Sequence, residues 1–223
     1  MIVVPQGDAA VVITCAAHPG EAASARVHAM AAAVRAAALP GVVALVPGYT
    51  TLVVHFDPRV SRTAPLADAI AALVPVPAPS ARRRWHIPVA YDGEDLAEVA
   101  AHAGLPTEQV VALHSAAVYT VACLGFAPGF AYLTGLPAQL QTPRRSSPRP
   151  RIAAGSLILG GQQTAIMPMA MPSGWHILGH THVQLFDVTR MAPCLLLPGD
   201  RVQFVPTVAE ALADRVARCE VGP

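Results

Sequence analysis

The sequence predicts an α+β protein in two parts, on three observations. The first 80 residues alternate apolar strands with Ala-rich helices, and residues beyond 117 hold short apolar strands between Gly/Pro turns. Residues 75–84 join the two with three prolines and three consecutive arginines, a composition that suits a linker. The expected division is 1–84 for a small α/β domain ending in that linker, and 85–223 for a β-barrel domain with two leading helices.

Ile2–Pro5 and Ala9–Thr14 read as strands around a Gly7-Asp8 turn. Glu21 to Leu39 is alanine-rich and helical, and Pro40-Gly41 stops it. Val42–Val46 and Thr51–Phe56 are strands about Pro47-Gly48, and Leu66–Val74 is a second helix. Strand, helix, strand, strand, helix is most of a ferredoxin-like sandwich, and Trp85–Tyr91 is a strand able to complete its sheet. Helices follow at about Gly93–Ala103, capped by Asp92, and Thr107–Ser115, capped by Thr107. Strands are then expected at Val118–Leu124, Ile152–Leu159, Thr164–Met167, Val183–Val188, Cys194–Leu197 and Val202–Val205. That spacing suits a barrel or sandwich. A last helix is expected near Val208–Arg218.

A formal net charge of +1 and 5% aromatic residues argue against nucleic-acid binding, which wants a basic face and stacking rings. The N-terminus lacks a basic leader. The longest uncharged run, Ala36 to Phe56, is broken by Pro40, Gly41, Pro47 and Gly48, so no membrane partner is expected. Cys15, Cys123, Cys194 and Cys219 lack CxxC spacing and read as free thiols of a cytoplasmic protein. All 15 basic residues are arginine. Without lysine the chain has no Schiff-base lysine, no lysine-bearing phosphate loop and no biotinyl-lysine.

From Gln109 to Phe186 there is no Asp or Glu, although the chain has 14; even scatter would place about five there. The window holds Arg144, Arg145, Arg149 and Arg151, with His114, His176, His180 and His182. A cationic, glycine-rich segment suits a small anion held by guanidinium and N–H groups, and not a hard cation. Gly125–Phe130 with Tyr132 either walls a pocket or plugs a barrel end. Pro143–Arg151 is a proline-stiffened arginine loop, pre-organised for an anion or merely solvated. Within it Arg144 is the preferred functional residue and Arg145 the preferred solvated one. Ala154-Gly155-Ser156 and Gly160–Thr164 bracket one strand, where Gln163 and Thr164 offer hydrogen bonds. Trp175 offers a wall and His176 a polar contact. His176, His180 and His182 raise a metal reading, which the Gly179 break and strand context disfavour. His114 is either a functional group or a complement to a helix dipole, and no G-x-S-x-G elbow supports a serine hydrolase.

Together, Leu124–Leu133 (LGFAPGFAYL), Thr142-Pro143-Arg144, Ala154-Gly155-Ser156, Gly160–Thr164, Gly174-Trp175 and Pro198-Gly199-Asp200 resemble the B-subunit family of 5-oxoprolinases. Gly7-Asp8-Ala9, Val46–Thr51 and Asp92–Leu96 extend the resemblance into the first half. The family is also called KipI-like, or allophanate hydrolase subunit 1. The resemblance implies a cyclophilin-like barrel, of carboxyltransferase type, behind the small α/β domain. It also implies a heteromeric complex with a homologous C-type subunit (KipA-like) and an A-type subunit of lactam-hydrolase kind. Such a complex opens 5-oxoproline to glutamate using ATP, and this chain alone is expected to hold neither biotin nor metal. Inhibition of a sensor histidine kinase, or action on allophanate or a urea derivative, are the family's alternatives.

The resulting candidate site has His114, Arg144 and Gln163 as catalytic groups. Phe126, Gly129, Phe130, Tyr132, Gly155, Ser156, Gly161, Thr164, Gly174, Trp175 and His176 are expected to bind substrate, with no metal ligand among them. Arg144 suits the substrate carboxylate, and Gln163, Thr164 and glycine N–H groups suit the lactam oxygen, whose phosphorylation would ease ring opening. Ala165, Met167 and Ser173 stand where the family tends to have Gly, Tyr and Gly, and Met167 removes a hydroxyl.

Overall fold

The computed structural model describes residues 2–75, 83–212 and 215–221. The chain divides into two compact units, residues 1–80 and 81–223. Residues 76–82, the greater part of the expected linker, lie outside the described residues.

In the first unit β1 (Ile2–Pro5) and β2 (Ala10–Thr14) precede α1 (Glu21–Ala37), and β3 (Val42–Pro47) and β4 (Thr51–Phe56) precede α2 (Thr63–Ala71). The strands form one antiparallel sheet in the order β1-β2-β4-β3. Alternation decides its faces: Val11 and Ile13 of β2 and Leu52, Val54 and Phe56 of β4 point to one side. There they meet Val27, Met30 and Val34 of α1 and Leu66 and Ile70 of α2. α1 ends where Ala38 adopts a left-handed conformation, φ 43°, just before Leu39-Pro40-Gly41.

Trp85–Tyr91 does not complete this sheet. The place beside β2 is taken by β1, which reaches it through a short turn at little loop-closure cost. The segment becomes β5 (Arg83–Val89) of the second unit, where Trp85, Ile87 and Val89 enter another core.

The second unit continues with α3 (Leu96–Ala103), α4 (Thr107–Ala116), β6 (Tyr119–Leu124), β7 (Ala131–Thr134), β8 (Arg149–Ile152), β9 (Ser156–Gly160) and β10 (Gln163–Ile166). It ends with β11 (Met171–Ser173), β12 (His176–His180), β13 (Arg201–Pro206) and β14 (Arg218–Val221). Eight strands run in the order β12-β9-β10-β7-β6-β13-β5-β14, and β11 pairs with β8 in a separate ribbon. β5 and β13 are parallel. The sheet curls until Ala90, just past β5, meets His180 of β12, each N–H donating to the other's carbonyl at 2.9 and 2.8 Å. Glycine is required at this closure, because a Cβ on Gly179 would overlap the Ala90 carbonyl oxygen.

Several expected elements differ. The strand foreseen over Ile152–Leu159 is broken between β8 and β9, where Gly155 turns with φ +81° and donates to the Met167 carbonyl. Of Val183–Val188 and Cys194–Leu197 only a Phe186–Cys194 bridge is formed. Of the expected last helix, residues 213–214 lie outside the described residues; among the described ones only Ala209–Ala211 form a helical turn, of 3-10 type, and Arg218 opens β14. Asp92 does not cap α3; Asp95 stands at that position, and Asp92 pairs with His180 at 2.7 Å. The result is a mixed α/β protein with large sheets and, among the described residues, four α-helices. Among the described residues no helix is long and apolar enough to cross a membrane.

Candidate functional site

A cavity of about 270 Å³ opens in the second unit between the β6–β7 turn, the loop before β8 and the β11–β12 connection. Phe126, Phe130, Tyr132, Arg144, Gly174 and Trp175 line it, together with Pro148, Ile158, Pro172 and Ser173. The aromatic rings brace one another edge to face: Phe130 lies 4.8 Å from Tyr132 and 5.4 Å from Phe126, and 6.2 Å from Trp175. Such pairs favour tilted geometry because ring edges are positive and faces negative. Phe126 holds a left-handed φ of 67° and remains 60% exposed at the mouth.

Trp175 is nearly buried, backed by Ile152, Ile158, Ala165 and Met167. Its indole lies flat against Gly160, where a Cβ would come within 2.7 Å of the Trp175 Cγ. The Ser173 hydroxyl oxygen accepts the Trp175 N–H at 3.2 Å and fixes the turn. The Arg144 guanidinium carbon lies 5.7 Å from the indole centroid, within cation–π range. No carboxylate pairs with Arg144 among the described residues. Partial burial, then Cys123, raise the Tyr132 hydroxyl pKa, and Arg144 opposes them.

The neighbouring arginines are neutralised. Asp95, almost wholly buried, accepts from Arg145 Nη1 at 3.1 Å, from Arg149 Nη1 and Nη2 at 2.8 Å each, and from the Ile177 N–H at 2.7 Å. Glu98 takes Arg145 at 3.0 Å and Glu94 takes Arg149 at 3.1 Å. Burial pushes the Asp95 carboxyl up, but the Arg149 and Ile177 hydrogen bonds and the two guanidinium charges outweigh it and hold the group below the ordinary range. Arg145, expected to be merely solvated, is therefore an anchored residue.

His114 and His176 do not occupy the expected places. His114 does not line the cavity; it is fully buried, stacked on Phe204 at 5.1 Å and near Tyr119. Thr164 donates its hydroxyl proton to the Ile158 carbonyl at 2.8 Å, so it accepts from His114 Nε2 at 3.0 Å, and Tyr91 O–H donates to Nδ1 at 2.9 Å. Burial pushes the His114 pKa down to about 3. A neutral, enclosed ring neither complements a helix dipole nor reaches a substrate in the cavity. His176 is likewise buried, and its Nε2–H donates to the Pro143 carbonyl at 2.9 Å, behind the arginine loop. Thr164 belongs to the His114 chain and not to the cavity wall.

Gly129, Gly155, Ser156, Gly161 and Gln163, also expected at the site, are not among the residues that line the cavity. Gly129, with φ +80°, packs where a Cβ would lie 2.7 Å from Phe186 Cβ. Gly155 and Ser156 form the turn into β9, the Gly161 N–H donates to the Thr142 carbonyl at 2.7 Å, and half-buried Gln163 opens β10. Met167 sits in the core behind Trp175 and does not line the cavity. The histidine triplet does not converge. The described residues able to approach one ion are Asp95, Glu98 and His176, with ligand atoms within 4.8 Å. Arg145 Nη1 already bonds both carboxylates there. Sequence reasoning misses Asp95 because it lies outside the acid-free window. The cluster of acids at Asp92, Glu94, Asp95 and Glu98 is the available signal.

The family described as "Carboxyltransferase domain, subdomain C and D" matches residues 1–196. The B subunit of 5-oxoprolinase from Escherichia coli O157:H7 is 56% identical over 123 residues, which are 54% of this chain and 56% of that protein, so this match spans about half of the relative. The B subunit of 5-oxoprolinase from Bacillus subtilis (strain 168) is 36% identical over 216 residues, covering 89% of this chain and 90% of that protein. The crystal structure of TTHA0988 superposes with a TM-score of 0.82 at 39% identity, covering 90% of this chain and 40% of that one. The urea amidolyase of K. lactis shares the fold at 16% identity and a TM-score of 0.76, covering 99% of this chain and 16% of its own. The chain belongs to the carboxyltransferase-domain family of subdomains C and D that includes the proteins named as the B subunit of 5-oxoprolinase.

Proposed function

We propose that this chain is one subunit of an ATP-dependent 5-oxoprolinase complex, in which it binds the lactam and presents it for activation. One observation carries the reading: Arg144, whose guanidinium pairs with no carboxylate among the described residues, lies over Trp175 in an aromatic cavity of about 270 Å³. 5-Oxoproline is a small apolar ring with one carboxylate, and the cavity offers apolar walls with one cation. Relatives named as the B subunit of 5-oxoprolinase support the substrate class.

The partners in this reading are a homologous C-type subunit (KipA-like) and an A-type subunit of lactam-hydrolase kind. The complex is cytoplasmic, in keeping with four free cysteines. ATP belongs to the complex. This chain has no lysine, and three of the four α-helices among the described residues carry an acid in the first turn, Glu21, Glu98 and Glu108, which ill suits a polyphosphate. The first unit is a ferredoxin-like sandwich whose fourth strand is supplied by β1, and the second is a cyclophilin-like barrel. The closing bonds at Ala90–His180 support the latter.

The test is ATP-dependent glutamate release from 5-oxoproline, comparing this chain alone with the chain assembled with the proteins encoded beside it. Activity confined to the assembly is expected. A stable assembly that releases no glutamate from 5-oxoproline overturns the substrate.

A further inference from the structure

We propose that Asp95 is a positioning residue for Arg144, an inference that rests on the cavity being the anion site. Arg144 is held by its neighbours on both sides. Before it, the Pro143 carbonyl accepts from His176 Nε2 at 2.9 Å; after it, the Arg145 N–H donates to the Gly174 carbonyl at 2.8 Å. The Arg145 and Arg149 side chains then converge on one buried carboxylate, Asp95, which also accepts the Ile177 N–H at the start of β12.

Asp95 thus ties three pieces together: the start of α3, the loop that carries Arg144 and Pro148, and the strand that follows Trp175. A proline-containing loop anchored at two arginines leaves Arg144 little choice of direction. Asp95 also neutralises the two arginines that would otherwise compete for the same anion. The carboxylate is not among the groups that line the cavity, so its effect on binding is exerted through Arg144.

Electrostatics and positioning predict opposite signs. Replacing Asp95 by a neutral residue raises the local positive potential, which alone would tighten anion binding. If Asp95 positions Arg144, binding weakens instead, by roughly tenfold, because a binding group displaced by about an ångström loses its geometry.

The experiment uses the full chain with side-chain ¹H–¹⁵N correlation spectra, the Arg144 Nε–H resonance being assigned by its loss in Arg144→Ala. In the wild type this resonance is expected to be displaced by the Trp175 ring current. In Asp95→Asn it should move to the position of a solvated arginine, and 5-oxoproline affinity should fall. Arg145→Ala, which leaves Asp95 bonded to Arg149 and the Ile177 N–H, should shift the resonance in the same direction and serves if Asp95→Asn does not fold. An unmoved Arg144 resonance in a cooperatively folded variant overturns the proposal, as does tighter 5-oxoproline binding. Failure of the wild type to bind 5-oxoproline would overturn the substrate reading instead, and the resonance would still decide the positioning role.

Discussion

Arg144 presents a guanidinium with no carboxylate partner among the described residues to an aromatic cavity, while Arg145 and Arg149 pair with acids. Arg144→Ala should weaken 5-oxoproline binding by about one to a few kcal/mol, the scale of a lost charge-assisted bond. Titration calorimetry at low ionic strength measures this, and unchanged affinity would place the anion elsewhere. His114 makes a separate prediction about stability. Its folded pKa of about 3 lies below the ordinary 6.5, so between those values the unfolded chain binds the extra proton. Its contribution is complete above about pH 6.5 and is lost as pH falls toward 3, by up to about 1.4 kcal/mol per unit. His114→Gln removes the titrating group, so its urea-unfolding stability should depend less on pH between about 7 and about 4.5 than the wild type's. Equal dependence in both would mean that the ring accepts a proton in the folded state.

At the scale of elements, two glycines set how closely strands approach. Gly160→Ala would drive a methyl group into the Trp175 indole, with an expected cost of about 1–3 kcal/mol. Thermal unfolding should register the loss, and a shift in tryptophan emission should report the displaced ring. Gly179→Ala strikes the Ala90 carbonyl where Ala90 meets His180 and should be the more damaging of the two, since backbone cannot move aside as a side chain can. The pairs β1–β2 and β3–β4 follow from their short turns, whereas closure and long-range pairing are not legible in the sequence. Val/Ile-rich runs between Gly/Pro turns announced β2, β4, β6 and β10, because period and turn chemistry are local. The partners of β5 and the bond from Ala90 to His180 are decided by residues far apart in the chain, which no local pattern encodes. The same division holds in the site. Phe126, Phe130, Tyr132, Arg144, Gly174 and Trp175 stood out as aromatic, cationic or turn residues and do line the cavity. His114 stood out by type alone, and only its packing against Phe204 shows it to be core.

At the scale of the whole molecule, each unit has its own apolar core, and every residue lining the cavity belongs to the second. A fragment spanning residues 83–223 should therefore bind 5-oxoproline within about threefold of the full chain, as expected for independent parts. Equilibrium titration of both proteins checks this, and a much weaker fragment would show that the first unit shapes the cavity. The parallel pairing of β5 with β13 has a consequence for how the protein is made. Arg83, at the head of β5, finds its partner Asp200 117 residues later. On the ribosome β5 emerges early, with Trp85, Ile87 and Val89 uncovered, and must wait for nearly the rest of the chain before its neighbours exist. The nascent second unit therefore carries an exposed apolar strand through most of its own synthesis, the interval in which a holding chaperone would matter most.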